Sequence, residues 1–243
     1  MICHRLIQLS VQFFGGRSLA LVFFHLFSVQ VFSQTNVYSE PLWSQMQSAV
    51  LGKQPNLKKV EELLKAGFDV NAPIGCGTFN ALDGAVLKQN LEMVQLLLAH
   101  GAKPKGNALI SACSIPNQNV EIVKALLDAG ANVNYRDYYD KSNPKHFTTA
   151  IHQAAVTGNE KLVRLLLSQK NILINESDSY GKTPLMIAVQ NGHSDVVNML
   201  IKAGADPNFK NDKGQTATSF AEKEIKNFRE IIAQLEQVSL KNK

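Results

Sequence analysis

The side chains here that could do acid–base, nucleophilic or metal chemistry are few. Glu92, Glu121, Glu160 and Asp195 offer carboxylates, His100, His146, His152 and His193 offer imidazoles, and Cys3, Cys76 and Cys113 are the cysteines. Paired carboxylates would support general acid–base catalysis, and clustered His, Cys and Asp would hold a divalent metal. The spacing argues otherwise. Asn90, Asn119, Asn159 and His193 stand one or two residues before these acids, and Asn56 holds the same place further upstream, each ahead of an apolar stripe. Asparagine is a strong helix N-cap, and an acid in the first turn meets the positive end of the helix dipole. Four such occurrences read as helix-start chemistry. No GxSxG, HExxH, CxxC or glycine-rich phosphate loop is present. No residue is assigned to catalysis, a cofactor or a metal. His146 falls outside the pattern, without a cysteine or carboxylate at ligand spacing.

The element that positions these residues is clearest from Asp178 to Asn208. Thr183 can cap a helix and Pro184 suits its first position, where no N–H is missed. Leu185, Ala188 and Val189 form one apolar stripe, and Gly192 provides a left-handed stop. Val196, Val197, Leu200 and Ile201 form a second stripe, closed by Gly204. Two helices this short need neighbours to bury their apolar faces. The unit occurs six times in all, near 42–71, 78–105, 107–134, 148–175, 178–208 and 211–238.

The residues GKTPL at 181–185, TAIH at 149–152, NGH at 191–193, GANVN at 130–134 and GADPN at 204–208 resemble ankyrin repeats over roughly 42–238. The resemblance implies an all-α solenoid of about six helix-turn-helix repeats with short hairpin loops. It also implies a function in binding a protein, without a cofactor. His152 would hydrogen-bond neighbouring backbone across repeats. Asp83 and Ile110 take the place of that histidine in the second and third copies, which puts the equivalent bonds there in question. The family binds on its concave side, through hairpin tips and exposed first-helix residues. Carried over by position, that surface holds Ser179, Tyr180, Lys182, Gln190 and Asn191 in the fifth copy. The matching places are Val156 and Thr157 in the fourth, Ser114 and Ile115 in the third, and Leu87 and Lys88 in the second. Leu87 and Ile115 there suggest an apolar patch suited to a protein ligand. Terminal copies must shield the stack. Leu42, Trp43 and Met46 are expected to do so at one end, and the charged 222–230 stretch at the other.

The connectors differ from one another. Most take eight or nine steps, as from Asn71 to Asn80, but Asn134 to Thr149 takes fifteen and Lys105 to Asn107 only two. The insertion contains Tyr135, Arg136, Tyr138 and Tyr139, and Tyr and Arg dominate binding hot spots. It reads either as a partner contact or as a loop packed back on the third and fourth copies.

The first 39 residues carry no acid, and Arg5 and Arg17 flank or precede an apolar run, Leu19 to Phe32, broken only by His25, Ser28 and Gln30. That run is shorter than the roughly 20 residues needed to span a bilayer. It fits the apolar core of a secretory signal, residues 1–33, cut between Ser33 and Gln34, with a short linker over 34–41 and a tail over 239–243. An uncleaved anchor and a mitochondrial presequence are the rival readings. Cleavage would leave a periplasmic or secreted chain without stable membrane insertion, expected to be a monomer. Cys113 occupies the small apolar position shared with Val86, Ala155 and Val189, so it reads as a packed hydrophobe, or as a partner for Cys76 in an oxidising compartment. Asn175-Glu176-Ser177 matches a glycosylation sequon. The net charge of +5 is dispersed, which argues against nucleic acid as partner. Three function classes remain: an exported binding module, possessing as a variant a secreted host-directed effector; an immunity-type inhibitor of a toxin; and an enzyme with a site in 135–147.

Overall fold

The computed structural model describes residues 41–75, 79–115, 120–138, 147–223 and 225. The expected signal at 1–33, residues 34–40 of the linker, Cys76, Asn119, Tyr139, His146, most of the expected second helix of the sixth copy and the tail lie outside the described residues, so the Cys76–Cys113 pairing does too.

Five helix pairs follow one another: α1 (Leu42–Leu51) with α2 (Leu57–Lys65), α3 (Ala81–Leu87) with α4 (Leu91–Ala99), α5 (Gly106–Ser114) with α6 (Val120–Asp128), α7 (Ala150–Thr157) with α8 (Glu160–Leu167), and α9 (Pro184–Gln190) with α10 (Ser194–Lys202). Helical turns resume at 217–223. The first helices stack in sequence as one layer, and the second helices as another. This is the solenoid expected from the repeats. Leu82, Leu109, Ile151 and Leu185 are buried in the first layer, and Leu97, Leu126, Leu166 and Leu200 in the second. Burial of each such side chain contributes roughly 1.5–3 kcal/mol. No described helix is long and apolar enough to cross a membrane.

Local chemistry sets the helix starts. Asn56, Asn90 and Asn159 accept the backbone N–H three residues on, from Lys59, Met93 and Leu162, at 3.0, 2.9 and 3.1 Å. Thr183 caps α9 through the N–H of Met186. Met46 is fully buried, but Leu42 and Trp43 stay 43% and 45% exposed. No repeat precedes them within the described residues to cover that face.

A second set of asparagines, at the ends of the first, third and fourth repeats, ties each of these three to the next. Asn71 donates to the carbonyl of Gly101 (3.2 Å) and accepts the N–H of Lys103 (2.8 Å). Asn134 bridges Asn171 and Leu173 likewise, at 2.7 and 2.9 Å. Asn175 bridges Gly204 and Asp206, at 3.4 and 2.8 Å. The amide of the sequon asparagine is therefore engaged in holding the stack. In the second repeat Lys105 occupies this place, and an ammonium cannot accept the second bond of the pair.

The insertion brings the only two-stranded sheet among the described residues, beside an isolated antiparallel bridge between Pro73 and Asn80. β1 (Asp137–Tyr138) pairs antiparallel with β2 (Phe147–Thr148), Asp137 opposite Thr148 and Tyr138 opposite Phe147.

Candidate partner-binding surface

The buried acid–base groups are consumed by structure. His152 Nε2 lies 3.0 Å from the carbonyl of Glu176 in the next hairpin, and Nδ1 lies 2.7 Å from Thr149 Oγ1. A carbonyl only accepts, so Nε2 carries the proton and Nδ1 accepts from the threonine hydroxyl. Burial pushes this imidazole below its ordinary 6.5, against the opposing pull of Asp178 and Glu176. His193, which replaces the capping asparagine, does not cap α10. Its Nε2 instead donates to the Val156 carbonyl of the preceding repeat, 3.1 Å away. The ring fits there because residue 158 is glycine. A Cβ at Gly158 would lie 2.5 Å from His193 Nδ1, and its φ of +68° also favours glycine.

Asp83, in place of the motif histidine, makes a reciprocal capping box with Asn80, with both bonds at 2.9 Å. Burial raises its pKa, and its Oδ1 has no hydrogen-bond partner. No cross-repeat bond forms from it. Cys113 is fully buried, and burial pushes its thiol far up, so it packs as a small hydrophobe. Among the described residues no group of His, Cys, Asp and Glu could hold a metal.

The residues assigned to partner contact fall in three places. Tyr135 is 37% exposed, and its ring covers Gly106 so closely that a Cβ there would meet it at 1.8 Å. It fills space beside the shortened hairpin. Arg136 forms an ion pair with Glu176 and lies 4.7 Å over the Phe147 ring. The Phe147 carbonyl accepts the N–H of Ser179 at 3.0 Å, so the base of the insertion is fastened to the fifth hairpin. Tyr138 lies in β1, and Tyr139 is outside the described residues.

The fifth hairpin is a built fingertip. Asp178 Oδ1 accepts the N–H groups of Tyr180 and Lys182 at 2.8 and 2.9 Å, which fixes the turn and leaves Tyr180 71% exposed. Ser179 is half-buried. Lys182 Nζ donates to Gln190 Oε1 at 2.6 Å and stands 5.5 Å over the Phe220 ring and 6.0 Å over that of Tyr180. Asn191 donates to the Ile187 carbonyl at 2.8 Å. Along the ends of the first helices, Leu87 is 40% exposed and Val156 46%, Ile115 is half-buried, and Lys88 is exposed. Sequence reasoning missed the Lys182–Gln190 link, which crosses eight residues and shows no periodic signature. The asparagine rungs were also missed, although their recurrence four residues after Gly67 and Gly130 was a usable signal.

The description "Ankyrin repeats (3 copies)" matches residues 46–137 and 137–211. The chain belongs to the ankyrin repeat family. It is 33% identical over 131 residues to the E3 ubiquitin-protein ligase KEG of Arabidopsis thaliana, covering 52% of this chain and 8% of that protein. It is 29% identical over 147 residues to the probable 26S proteasome regulatory subunit p28 of Saccharomyces cerevisiae, covering 57% and 61%. The chain thus spans less than two thirds of the length of these ankyrin relatives. Among solved structures it resembles a chain in the complex of the Bd0816 predatory endopeptidase of Bdellovibrio bacteriovorus with immunity protein Bd3460. That match has 29% identity, a TM-score of 0.63, and covers 79% of this chain and 95% of that one. The ankyrin repeat domain of Bcl-3 matches at 27% identity and a TM-score of 0.58, covering 73% and 78%.

Proposed function

We propose that this ankyrin repeat chain is a non-catalytic, exported module that holds one protein partner against its first helices and hairpin tips. The observation that carries this reading is the contrast in how polar groups are used. The buried His152 is spent on stacking, whereas Tyr180, Lys88, Leu87 and Val156 project from the first-helix side. Exposed amphipathic and apolar groups on a rigid scaffold suit recognition of a protein surface. Export rests on the apolar run from Leu19 to Phe32, cut after Ser33.

A second, finer reading is favoured by one observation: the match to a chain of an endopeptidase–immunity protein complex extends over 95% of that chain. On that reading the partner is an enzyme, and this chain inhibits it one-to-one. The experiment is affinity capture with residues 34–243 from the native cell envelope, followed by assay of each captured enzyme with and without the chain. A stoichiometric complex supports the module, and lost enzyme activity within it supports the inhibitor. Recovery of no specific partner, or turnover of a substrate by the chain alone, contradicts the module.

A further inference from the structure

The two layers of the solenoid differ in charge as well as in exposure. The second helices mix signs along their outer face, with Glu61, Glu62, Glu92, Glu121, Glu160 and Asp195 set among lysines, and the ion pairs Lys59–Glu62 and Lys65–Glu61 lie there. The first helices carry no exposed carboxylate from α1 through α9, since their one acid, Asp83, is buried. The cations on that side are placed for an outside anion. Lys88, the C-cap of α3, is exposed and forms no ion pair with a described residue. Lys182 is held by the neutral Gln190 and two ring faces, an arrangement that aims an ammonium without neutralising it. The acids of the connectors are Asp137, half-buried in β1, Asp178, whose Oδ1 is bound by two backbone N–H groups, Glu176, paired with Arg136, the exposed Asp69 and Asp206, whose Oδ1 atoms accept the N–H of Asn71 and Asn208, and the exposed Asp212. Between the cations run Leu87, Ile115 and Val156, on successive members of one helix layer.

Resting on the partner-binding reading above, we infer that the partner is a protein that presents an apolar protrusion flanked by carboxylates. The protrusion packs on Leu87, Ile115 and Val156, and the carboxylates face Lys88 and Lys182. Complementary charge of this kind steers encounter and rejects basic competitors more than it adds affinity. A basic partner would meet like charge at Lys88 and Lys182. A second copy of this chain fits poorly, because its first-helix side carries the same sign.

The test uses two labelled amphipathic peptides as probes, sharing one leucine stripe and flanked by glutamates in one and lysines in the other, titrated against residues 34–243 by fluorescence anisotropy. The glutamate peptide binds about tenfold tighter or more at low salt, and the preference shrinks as salt rises. The Lys88→Glu/Lys182→Glu double variant, with an unchanged melting temperature, loses the preference, while Lys88→Arg/Lys182→Arg keeps it. Val156→Asp weakens both peptides. Equal binding, preference for lysine, no binding of either peptide, or a preference that survives the double reversal overturns the inference. A natural partner whose capture is indifferent to the double reversal would sink it too, and leave the module reading standing.

Discussion

The junction between the second and third repeats and the junction between the fourth and fifth join the same kind of helix pair by different means. At the later junction Asn175 bridges Gly204 and Asp206, His152 reaches the Glu176 carbonyl, and His193 reaches back to Val156. At the earlier one Lys105 replaces the bridging asparagine, Asp83 replaces the histidine, and the hairpin is nearly gone. Without those asparagine and histidine ties, Leu82, Val86, Leu109 and Cys113 are buried there, and Tyr135 is laid over Gly106. The polar ties are therefore additions to a stack that helix packing already defines. A repeat can lose its fingertip and still hold its place, which frees the hairpins to vary with the partner.

The difference can be broken from the strong side. Replacing His152 with alanine empties a buried site and orphans the Glu176 carbonyl, and is expected to cost about 3 kcal/mol by denaturant melting. That loss depends on pH. Burial lowers the folded-state pKa below 6.5, so the unfolded chain binds the proton more readily, and the stabilisation is complete above that value and fades as pH falls through it. The gap between wild type and His152→Ala narrows between pH 8 and pH 5. A constant gap would show that the imidazole is not held neutral. Asn175→Ala removes both bonds of one exposed rung and is expected to cost about 1–2 kcal/mol. A loss near zero would mean that water replaces the rung.

The weak junction can also be repaired. Lys105 is the N-cap of α5 with an extended backbone and no side-chain cap bond, and a lysine has no acceptor to offer. Lys105→Asn supplies one, and is expected to stabilise by about 1 kcal/mol, read as a higher melting temperature. Destabilisation would show that the lysine has a structural contact of greater weight there.

Much of this was legible in the chain. The helix pairs could be read because each carries its own start and stop, asparagine or Thr-Pro at one end and glycine at the other, around an apolar stripe. Cys113 could be read as a packed hydrophobe because its repeat-mates are small and apolar. The exposure of Leu42 and Trp43 was not legible, since the first copy carries the same apolar pattern as an inner one and no described residue packs over that face. Nor was the ribbon at 137–138 and 147–148, whose strands of two residues have no periodicity to detect. The roles of Tyr135 and Arg136 turned on contacts with Gly106 and Glu176, distant in sequence, so their types alone suggested an interface. His193 showed the same limit. Its place in the repeat suggested a cap, whereas the space over Gly158 draws its ring to the preceding repeat.

The most direct measurement is hydrogen–deuterium exchange of residues 34–243 with and without the captured partner. Protection confined to the ends of α3, α5, α7 and α9 and to the hairpin around Tyr180 is the result this account predicts. Protection confined to α2, α4, α6, α8 and α10, with the first-helix side unchanged, would contradict it.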